Sequence, residues 1–102
     1  MNKLYILVRK DLSMSHIAVQ AGHAVGEFCK ELPLSALNDW NNTLVYLGVS
    51  DEQELNSWWE LLNDVEPRSV QWRESYWDNS LTSFAVIGSD TVQKLVRGLR
   101  LI

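Results

Sequence analysis

The sequence predicts an α/β domain in which a four-stranded mixed β-sheet is covered by helices. Strand-like apolar runs alternate with segments of helical periodicity, in the order strand, helix, strand, helix, strand, strand, helix. Helices separate the first three strands, which favours parallel crossovers, whereas the short link between the third and fourth strands favours an antiparallel pair. The length of 102 residues predicts one domain, spanning residues 1–102.

The chain begins with a strand and a helix that are joined by a polar turn. Leu4 to Val8 is a short apolar, β-branched run, which is typical of a buried strand. Ser13 or Ser15 can cap the following helix by accepting a hydrogen bond from a free backbone N–H. Apolar residues at helical spacing predict the face that packs on the core: Ile17, Ala21, Ala24, Val25 and Phe28.

Small residues form a second row on this helix, at Ala18, Gly22 and Gly26. A glycine inside a helix costs about 1 kcal/mol relative to alanine, so we expect this row to let the helix lie tightly on the sheet. Cys29 follows the apolar face, and we expect it to be a small core residue.

A polar face on the same helix is where we look for function. His16, Gln20, His23 and Glu27 recur at spacings of four, three and four, so they share one side of the helix. Two interpretations stay open. The face either carries a functional site or is a half-exposed surface whose histidines complete the edge of the core.

The middle of the chain predicts a short helix, a strand and a longer helix. Residues 35–40 form one or two helical turns, and 43–49 form a strand whose continuous apolar character predicts a central position. Residues 50–53 (SDEQ) fit a capping box in which Ser50 and Gln53 satisfy each other's free donors. The helix then runs to about Asn63.

The last third predicts two strands and a helix. Residues 69–74 alternate in polarity and form the third strand, residues 75–80 form a loop, and residues 81–88 form the fourth strand. Ser89 or Asp90 caps the final helix, whose apolar face extends to Leu99. Ligands of such sheets usually bind beyond the carboxyl ends of parallel strands, which here means residues 9–16 and 74–80.

The charges are unevenly distributed along the chain. The net charge is −4. The segment from Glu31 to Pro67 contains acidic residues but no Lys or Arg. The rest of the chain is therefore basic on balance, and two interpretations stay open. Either the two ends meet to form a basic surface, or the acidic helix is simply solvated.

Several classes of protein and site are not predicted. No apolar run approaches the roughly 20 residues that span a bilayer, so we expect no membrane partner. The N-terminus lacks the features of a signal peptide, and a lone cysteine cannot form an internal disulfide; both predict a cytoplasmic setting. No cofactor is predicted, because there is no Gly-rich phosphate loop.

A metal site is also not predicted. His16 and His23 are seven positions apart, roughly 10 Å along a helix, so they cannot share an ion. His23 and Glu27 could share one, but two ligands are too few.

The first stretch resembles the type II peptidyl-tRNA hydrolase family. The family pattern is a strand ending in V-R, then D-L-x-M, a Gly/Lys-rich turn and K-I-A-x-Q-x-x-H-A. The order of elements along the chain agrees as well, and the shortened turn resembles a small bacterial or bacteriophage branch of the family. The matching residues are Val8-Arg9, Asp11-Leu12, Met14, Ile17-Ala18, Gln20 and His23-Ala24.

Two positions depart from the family pattern. The family's lysine is His16 here, and its D-A-G-x-T motif is replaced by Glu74-Ser75-Tyr76-Trp77. A carboxylate persists as Glu74, whereas the threonine has no clear counterpart. Ser80 or Thr82 can supply a hydroxyl instead.

The resemblance implies hydrolysis of the ester that joins a peptide to the 3′ end of tRNA. This reaction needs an activated water, stabilisation of the oxyanion and a grip on the acceptor end. Carried over by position, His16 and Glu74 are the catalytic pair. Histidine can act as a base near pH 7, which lysine cannot do unless strongly perturbed.

The resemblance also suggests how tRNA or peptidyl-tRNA binds. Arg9 and Lys10 can hold phosphate with the help of the first helix's N-terminus, and Tyr76 or Trp77 can stack on the terminal adenine. The predicted substrate-binding residues are Arg9, Lys10, Asp11, Gln20, His23, Tyr76, Trp77, Ser80 and Thr82. Two alternatives to an enzyme stay open: an inactive relative that binds RNA or a small nucleotide, and an interaction module, such as a homodimer.

Overall fold

A computed structural model describes the whole chain, residues 1–102. A single 3-10 turn at Ser75–Trp77 joins the third strand to the fourth. The strands and helices, in chain order, are β1 (Asn2–Arg9), α1 (Met14–Glu31), α2 (Leu34–Asp39), β2 (Trp40–Val49), α3 (Glu52–Val65), β3 (Ser69–Glu74), β4 (Ser80–Ile87), α4 (Asp90–Val96) and β5 (Arg100–Leu101).

The strands form one mixed sheet in the order β3-β4-β1-β2-β5. β1 and β2 are parallel, while β4 runs antiparallel to both β1 and β3. The predicted α/β class, with a mixed sheet covered by helices and an antiparallel pair of β3 and β4, is therefore confirmed. β1 and β3 run in the same direction, so their carboxyl ends lie at the same edge of the sheet.

The sheet has five strands, so the expected number of four was one too few. We expected the final helix to include Leu99, but α4 ends at Val96 and β5 pairs with Leu47 and Gly48 of β2. A strand of two residues is too short to show an alternating pattern, which is why the sequence did not reveal it.

β2 is an interior strand of the sheet, as its apolar run predicted, because it lies between β1 and the short strand β5. β1 is the middle strand of the five, and β4 and β2 lie on either side of it. Leu47 and Val49 are buried, whereas Leu44 and Tyr46 are 38% and 36% exposed. The apolar run therefore covers a strand of which only the carboxyl end is enclosed.

Helices cover both faces of the sheet. On one face α1 buries the predicted residues Ile17, Ala21, Ala24 and Phe28. On the other face α3 and α4 enclose a second cluster, in which the ring of Trp59 meets Phe84 edge-on at a centroid distance of 5.3 Å. The sheet is thus buried on both sides along β1 and β4.

The small residues of α1 do not face the sheet. A Cβ atom added at Gly22 or Gly26 would meet nothing within 4 Å, and both glycines are exposed. The expected close packing was wrong, because the helix is turned so that Phe28 and Ala24 contact the sheet instead. Cys29 is exposed as well, so its assignment to the core was also wrong.

The helix caps are those that the sequence predicted, except that the cap of α3 lies one residue later. Ser13 caps α1 and Ser89 caps α4, each by accepting a hydrogen bond from a backbone N–H. The capping box of α3 lies one residue later than predicted. Asp51 accepts from the backbone N–H of Glu54 at 2.9 Å, and Glu54 accepts from that of Ser50 at 2.8 Å. The shift arises because α3 begins at Glu52, which makes Asp51 the N-cap.

None of the helices has the length and apolar character that crossing a membrane requires.

Candidate active site

A cavity of about 370 Å³ lies where the first half of α1 faces the end of β3. It opens beyond the carboxyl end of β3, the kind of position where ligands of α/β sheets usually bind. The residues that line it are His16, Val19, Gln20, His23, Glu74, Tyr76 and Trp77. Six of these were predicted as site residues.

Glu74 is the carboxylate of this cavity, and it is only 7% exposed. One oxygen, Oε1, accepts a hydrogen bond from Nε2 of Gln20 at 3.0 Å, and Oε2 accepts from the backbone N–H of Tyr76 at 3.4 Å. The bond from Gln20 is the largest influence that holds the pKa of Glu74 below its ordinary value. The N–H of Tyr76 and the nearby His23 act in the same direction and burial opposes them, so Glu74 is an anion at neutral pH.

Gln20 is held from behind by two hydroxyl groups of β4. Thr82 donates to the side-chain Oε1 at 2.7 Å, and Ser83 donates to the backbone carbonyl of Gln20 at 2.6 Å. Since Oε1 is occupied by a donor, Nε2 must face Glu74. The side chains of Thr82, Gln20 and Glu74 therefore form a buried chain of hydrogen bonds that fixes the orientation of the carboxylate.

A β-bulge explains why two successive residues of β4 reach the same glutamine. Trp72 pairs with Ser83 and Arg73 pairs with Leu81, so Thr82 is an extra residue without a partner on β3. In a regular strand, neighbouring side chains point to opposite faces. The bulge removes that alternation locally, and bulges of this kind are common beside active sites.

The two histidines occupy different parts of the cavity. Nε2 of His23 lies 4.0 Å from Oε1 of Glu74, and its ring stacks on Trp72 at a centroid distance of 4.3 Å and an angle of 14°. His16 is more exposed and meets the ring of Trp77 edge-on, with the centroids 5.1 Å apart. No direct hydrogen bond joins His16 to Glu74, although both line the same cavity.

A comparison with protein-family models matches residues 2–102 to the family described as Peptidyl-tRNA hydrolase PTH2. The chain belongs to this family. Its function is accordingly peptidyl-tRNA hydrolase-like, which the match favours over an inactive binding protein or an interaction module. A comparison with curated proteins gives no match.

The match confirms the family resemblance of the first stretch and extends it over nearly the whole chain. In this member of the peptidyl-tRNA hydrolase family, the altered positions, His16 and Glu74, lie together on the cavity. Thr82 lies behind Gln20 rather than on the cavity surface. Its hydroxyl therefore acts on the site through Gln20.

Besides Thr82, four other predicted binding residues do not line the cavity. Arg9 and Asp11 bond to each other through two contacts, of 2.9 and 2.8 Å. Lys10 extends over Gly48, where its Cδ lies 2.6 Å from the position that a Cβ would take. Ser80 pairs with Glu74 across the two strands without facing the cavity.

Aromatic side chains flank the opening of the cavity, as expected for the residues that replace the family's second motif. Tyr76 is 90% exposed, and Trp77 is half-buried against His16. An exposed aromatic ring beside a polar cavity is suited to stacking on a nucleobase.

The sequence did not reveal two residues of this site: Val19, which lines the cavity, and Trp72, which stacks on His23. For Trp72 we had predicted only a place in the alternating third strand, residues 69–74. It stands two positions before Glu74, however, and residues two apart on a strand share a face. That spacing was the available signal.

No group of three or more His, Cys, Asp or Glu side chains is arranged to hold a metal ion.

Proposed function

We propose that the chain hydrolyses the ester between a peptide and the 3′ end of tRNA, and that the reaction takes place in the cavity between α1 and β3. The observation that carries this proposal is the convergence of His16 and Glu74 on that cavity. These two residues come from elements that are far apart in sequence, and the family pattern places catalytic groups at both positions.

His16 takes the proton in this mechanism. The lowered pKa of Glu74 makes its carboxylate a weak base, so it orients the water and balances the charge of an imidazolium. Water attacks the ester carbonyl carbon and gives a proton to the imidazole of His16. The bond from carbon to the ribose 3′ oxygen then breaks, and the leaving oxygen takes the proton back. The products are tRNA with a 3′ hydroxyl and a peptide carboxylic acid, which releases its proton to solvent and becomes a carboxylate.

The acceptor end of tRNA binds at the aromatic opening of the cavity. Tyr76 offers an exposed ring for stacking on the terminal adenine, and Trp77 lines the cavity next to Tyr76. Arg9 is already bonded to Asp11, so Lys10 is the more available cation for phosphate at the end of β1. Phosphate contacts release counterions, so the affinity for tRNA should fall as salt concentration rises. An affinity that does not respond to salt would contradict tRNA binding.

We also propose that the chain forms a homodimer through an apolar surface beside α1. Met14 is 77% exposed there, and the first half of β2 is largely exposed. Exposed apolar patches of this kind often mark interfaces. Sedimentation should show a dimer that Ala18→Arg converts to a monomer, and a wild-type monomer at high concentration would contradict the proposal. The surface is lined by Met14, Ile17, Ala18, Ala21, Tyr46 and Ile102.

The single cysteine and the peptidyl-tRNA substrate support a cytoplasmic setting. The shortened turn before α1 supports a place in a small bacterial or bacteriophage branch of the family.

The activity is tested by incubating the purified protein with labelled peptidyl-tRNA and measuring peptide release. We expect release by the wild type and a rate about 10² to 10⁴ lower for His16→Ala, the range that general acid–base groups contribute. Lys30→Ala, at the far end of α1, is the matched control and should keep the wild-type rate. Equal release by the wild type and His16→Ala would reject the proposed role of His16.

A further inference from the structure

We propose that His23 and Glu74 form a binding site, here called the seat, for a single hydroxyl-type oxygen. Trp72 is the positioning residue that holds the ring of His23 in the orientation that this site needs. This inference deepens the proposed function and rests on it, since it assigns a ligand atom to one corner of the same cavity. Nothing in the family pattern pointed to Trp72.

Trp72 fixes the plane of the His23 ring. The two rings are nearly parallel, at 14°, with centroids 4.3 Å apart, so the imidazole cannot rotate out of its plane without losing the stack. β3 carries Trp72 and Glu74 on one face at a spacing of two. One rigid strand therefore positions both the indole ring, which orients the imidazole, and the carboxylate, which faces it.

The distance between the two polar atoms defines what fits between them. Nε2 of His23 and Oε1 of Glu74 are 4.0 Å apart, which is longer than a direct hydrogen bond of about 2.7–3.2 Å. One oxygen atom placed about 2.8 Å from each completes both bonds. The gap is thus the right size for a single bridging oxygen.

The chemistry of the two groups restricts that oxygen further. An ionised carboxylate only accepts hydrogen bonds, so the occupant must donate a hydrogen to Glu74. The imidazole nitrogen can donate to the same oxygen or accept a second hydrogen from it. Water and an alcohol satisfy these conditions, whereas a carbonyl or an ether oxygen does not. Two sources are available in the reaction: the attacking water, and the ribose 2′ hydroxyl beside the ester.

The indole N–H of Trp72 is a further buried polar group beside this site. Nε1 is buried and makes no hydrogen bond within strict geometry, yet it lies near enough to Glu74 to help lower the pKa of that carboxyl group. A buried donor without a well-formed hydrogen bond is uncommon in proteins and calls for an explanation. Its position beside Glu74 adds a neutral donor next to the carboxylate without adding charge.

A crystal structure tests the seat without any need for activity. We expect electron density for an oxygen within about 3.2 Å of both Nε2 of His23 and Oε1 of Glu74. Trp72→Leu should lose this oxygen, and NMR should show that the ring protons of His23 move downfield once the stacking indole is gone. Trp72→Phe keeps the stack and should keep the oxygen. A direct bond between His23 and Glu74, or an empty gap in the wild type, would overturn the proposal.

Kinetics then identify the source of the oxygen. If the ribose hydroxyl occupies the seat, a substrate with a 2′-deoxy terminal adenosine should raise KM about tenfold for the wild type but not for His23→Phe. If water occupies it, the deoxy substrate should behave normally, while His23→Phe lowers kcat about tenfold at unchanged KM. Unchanged kcat and KM in both His23→Phe and Trp72→Leu would overturn the role. A wild type without activity but with the ordered oxygen would reject the proposed function and leave the seat standing.

Discussion

At the scale of single residues, Gln20 determines how the carboxylate of Glu74 is presented to the cavity. Its side-chain amide accepts a hydrogen bond from Thr82 and donates one to Glu74. The family motif predicted Gln20 and Glu74 as site residues, but it could not reveal the hydroxyl behind them. That contact depends on the β-bulge at Thr82, and a bulge leaves no clear mark in a single sequence.

The hydroxyl of Thr82 should contribute measurably to stability. Thr82→Val keeps the shape of the side chain but leaves Oε1 of Gln20 without its donor inside the protein. We expect a loss of about 1–2 kcal/mol in the free energy of unfolding, measured with urea. Thr91→Val, on the exposed side of α4, should change it by less than about 0.5 kcal/mol. Equal effects of the two substitutions would show that the buried hydrogen bond is unimportant.

The charge of Glu74 should appear in the pH dependence of stability. Its pKa is lower in the folded protein than in the unfolded chain, chiefly because of the bond from Gln20. Such a group adds stability above the unfolded pKa of about 4.3, and this stability is lost as pH falls through the folded pKa. The stability difference between the wild type and Glu74→Gln should therefore shrink between about pH 5 and pH 3. A difference that stays constant over this range would contradict the assignment.

At the scale of elements, the sequence predicted those with a long, regular pattern and missed those set by their neighbours. The bounds of β3 and the existence of α1 follow from alternation and helical spacing. β5 was missed because its two residues form a strand only by pairing with β2. The predicted orientation of α1 about its axis was also wrong in part, because a row of small residues can face either a close neighbour or solvent.

Helix α1 should become more stable when its exposed glycines are replaced. A Cβ at Gly22 meets nothing within 4 Å, so Gly22→Ala should raise the free energy of unfolding by about 0.5–1 kcal/mol.

Gly88→Ala is the contrasting variant, because its Cβ would lie 2.4 Å from the ring of Tyr5 and 2.9 Å from the backbone oxygen of Lys3. It should lower the free energy of unfolding by about 1–3 kcal/mol. Thermal unfolding of both variants checks the prediction. A destabilising Gly22→Ala would mean that α1 does pack closely through this face.

At the scale of the whole molecule, a polar network ties together distant parts of the chain at the edge opposite the site. Arg68, just before β3, bonds to Glu66 at 2.9 Å and to Asp39 at 2.7 Å. Asp39 in turn accepts a bond from Asn2 at the start of β1. The network holds the amino ends of β1, β2 and β3 together, while the cavity lies at the carboxyl end of β3.

Removing Arg68 should destabilise the fold in a pH-dependent way. Glu66 is buried, and its hydrogen bonds with Arg68 are the main reason that its pKa is lowered. Arg68→Ala should cost about 1–3 kcal/mol at pH 7, because it leaves that carboxylate without its partner. The loss should diminish below about pH 4, as Glu66 becomes protonated.

Arg97→Ala, at the exposed end of α4, is the matched control for Arg68→Ala. It should leave stability nearly unchanged in urea unfolding at both pH values. If Arg68→Ala behaved in the same way, the network would not hold the amino ends of the strands together.

The most direct test of the account measures the single-turnover rate of peptide release from peptidyl-tRNA. Glu74→Gln and Glu60→Gln make the same chemical change, the first in the cavity and the second on the exposed face of α3. We expect Glu74→Gln to lower the rate by about 100-fold or more, since it removes the anion that orients water and balances the imidazolium. Glu60→Gln should keep the wild-type rate. A folded Glu74→Gln variant that releases peptide as fast as the wild type would contradict the central claim that this cavity performs the reaction.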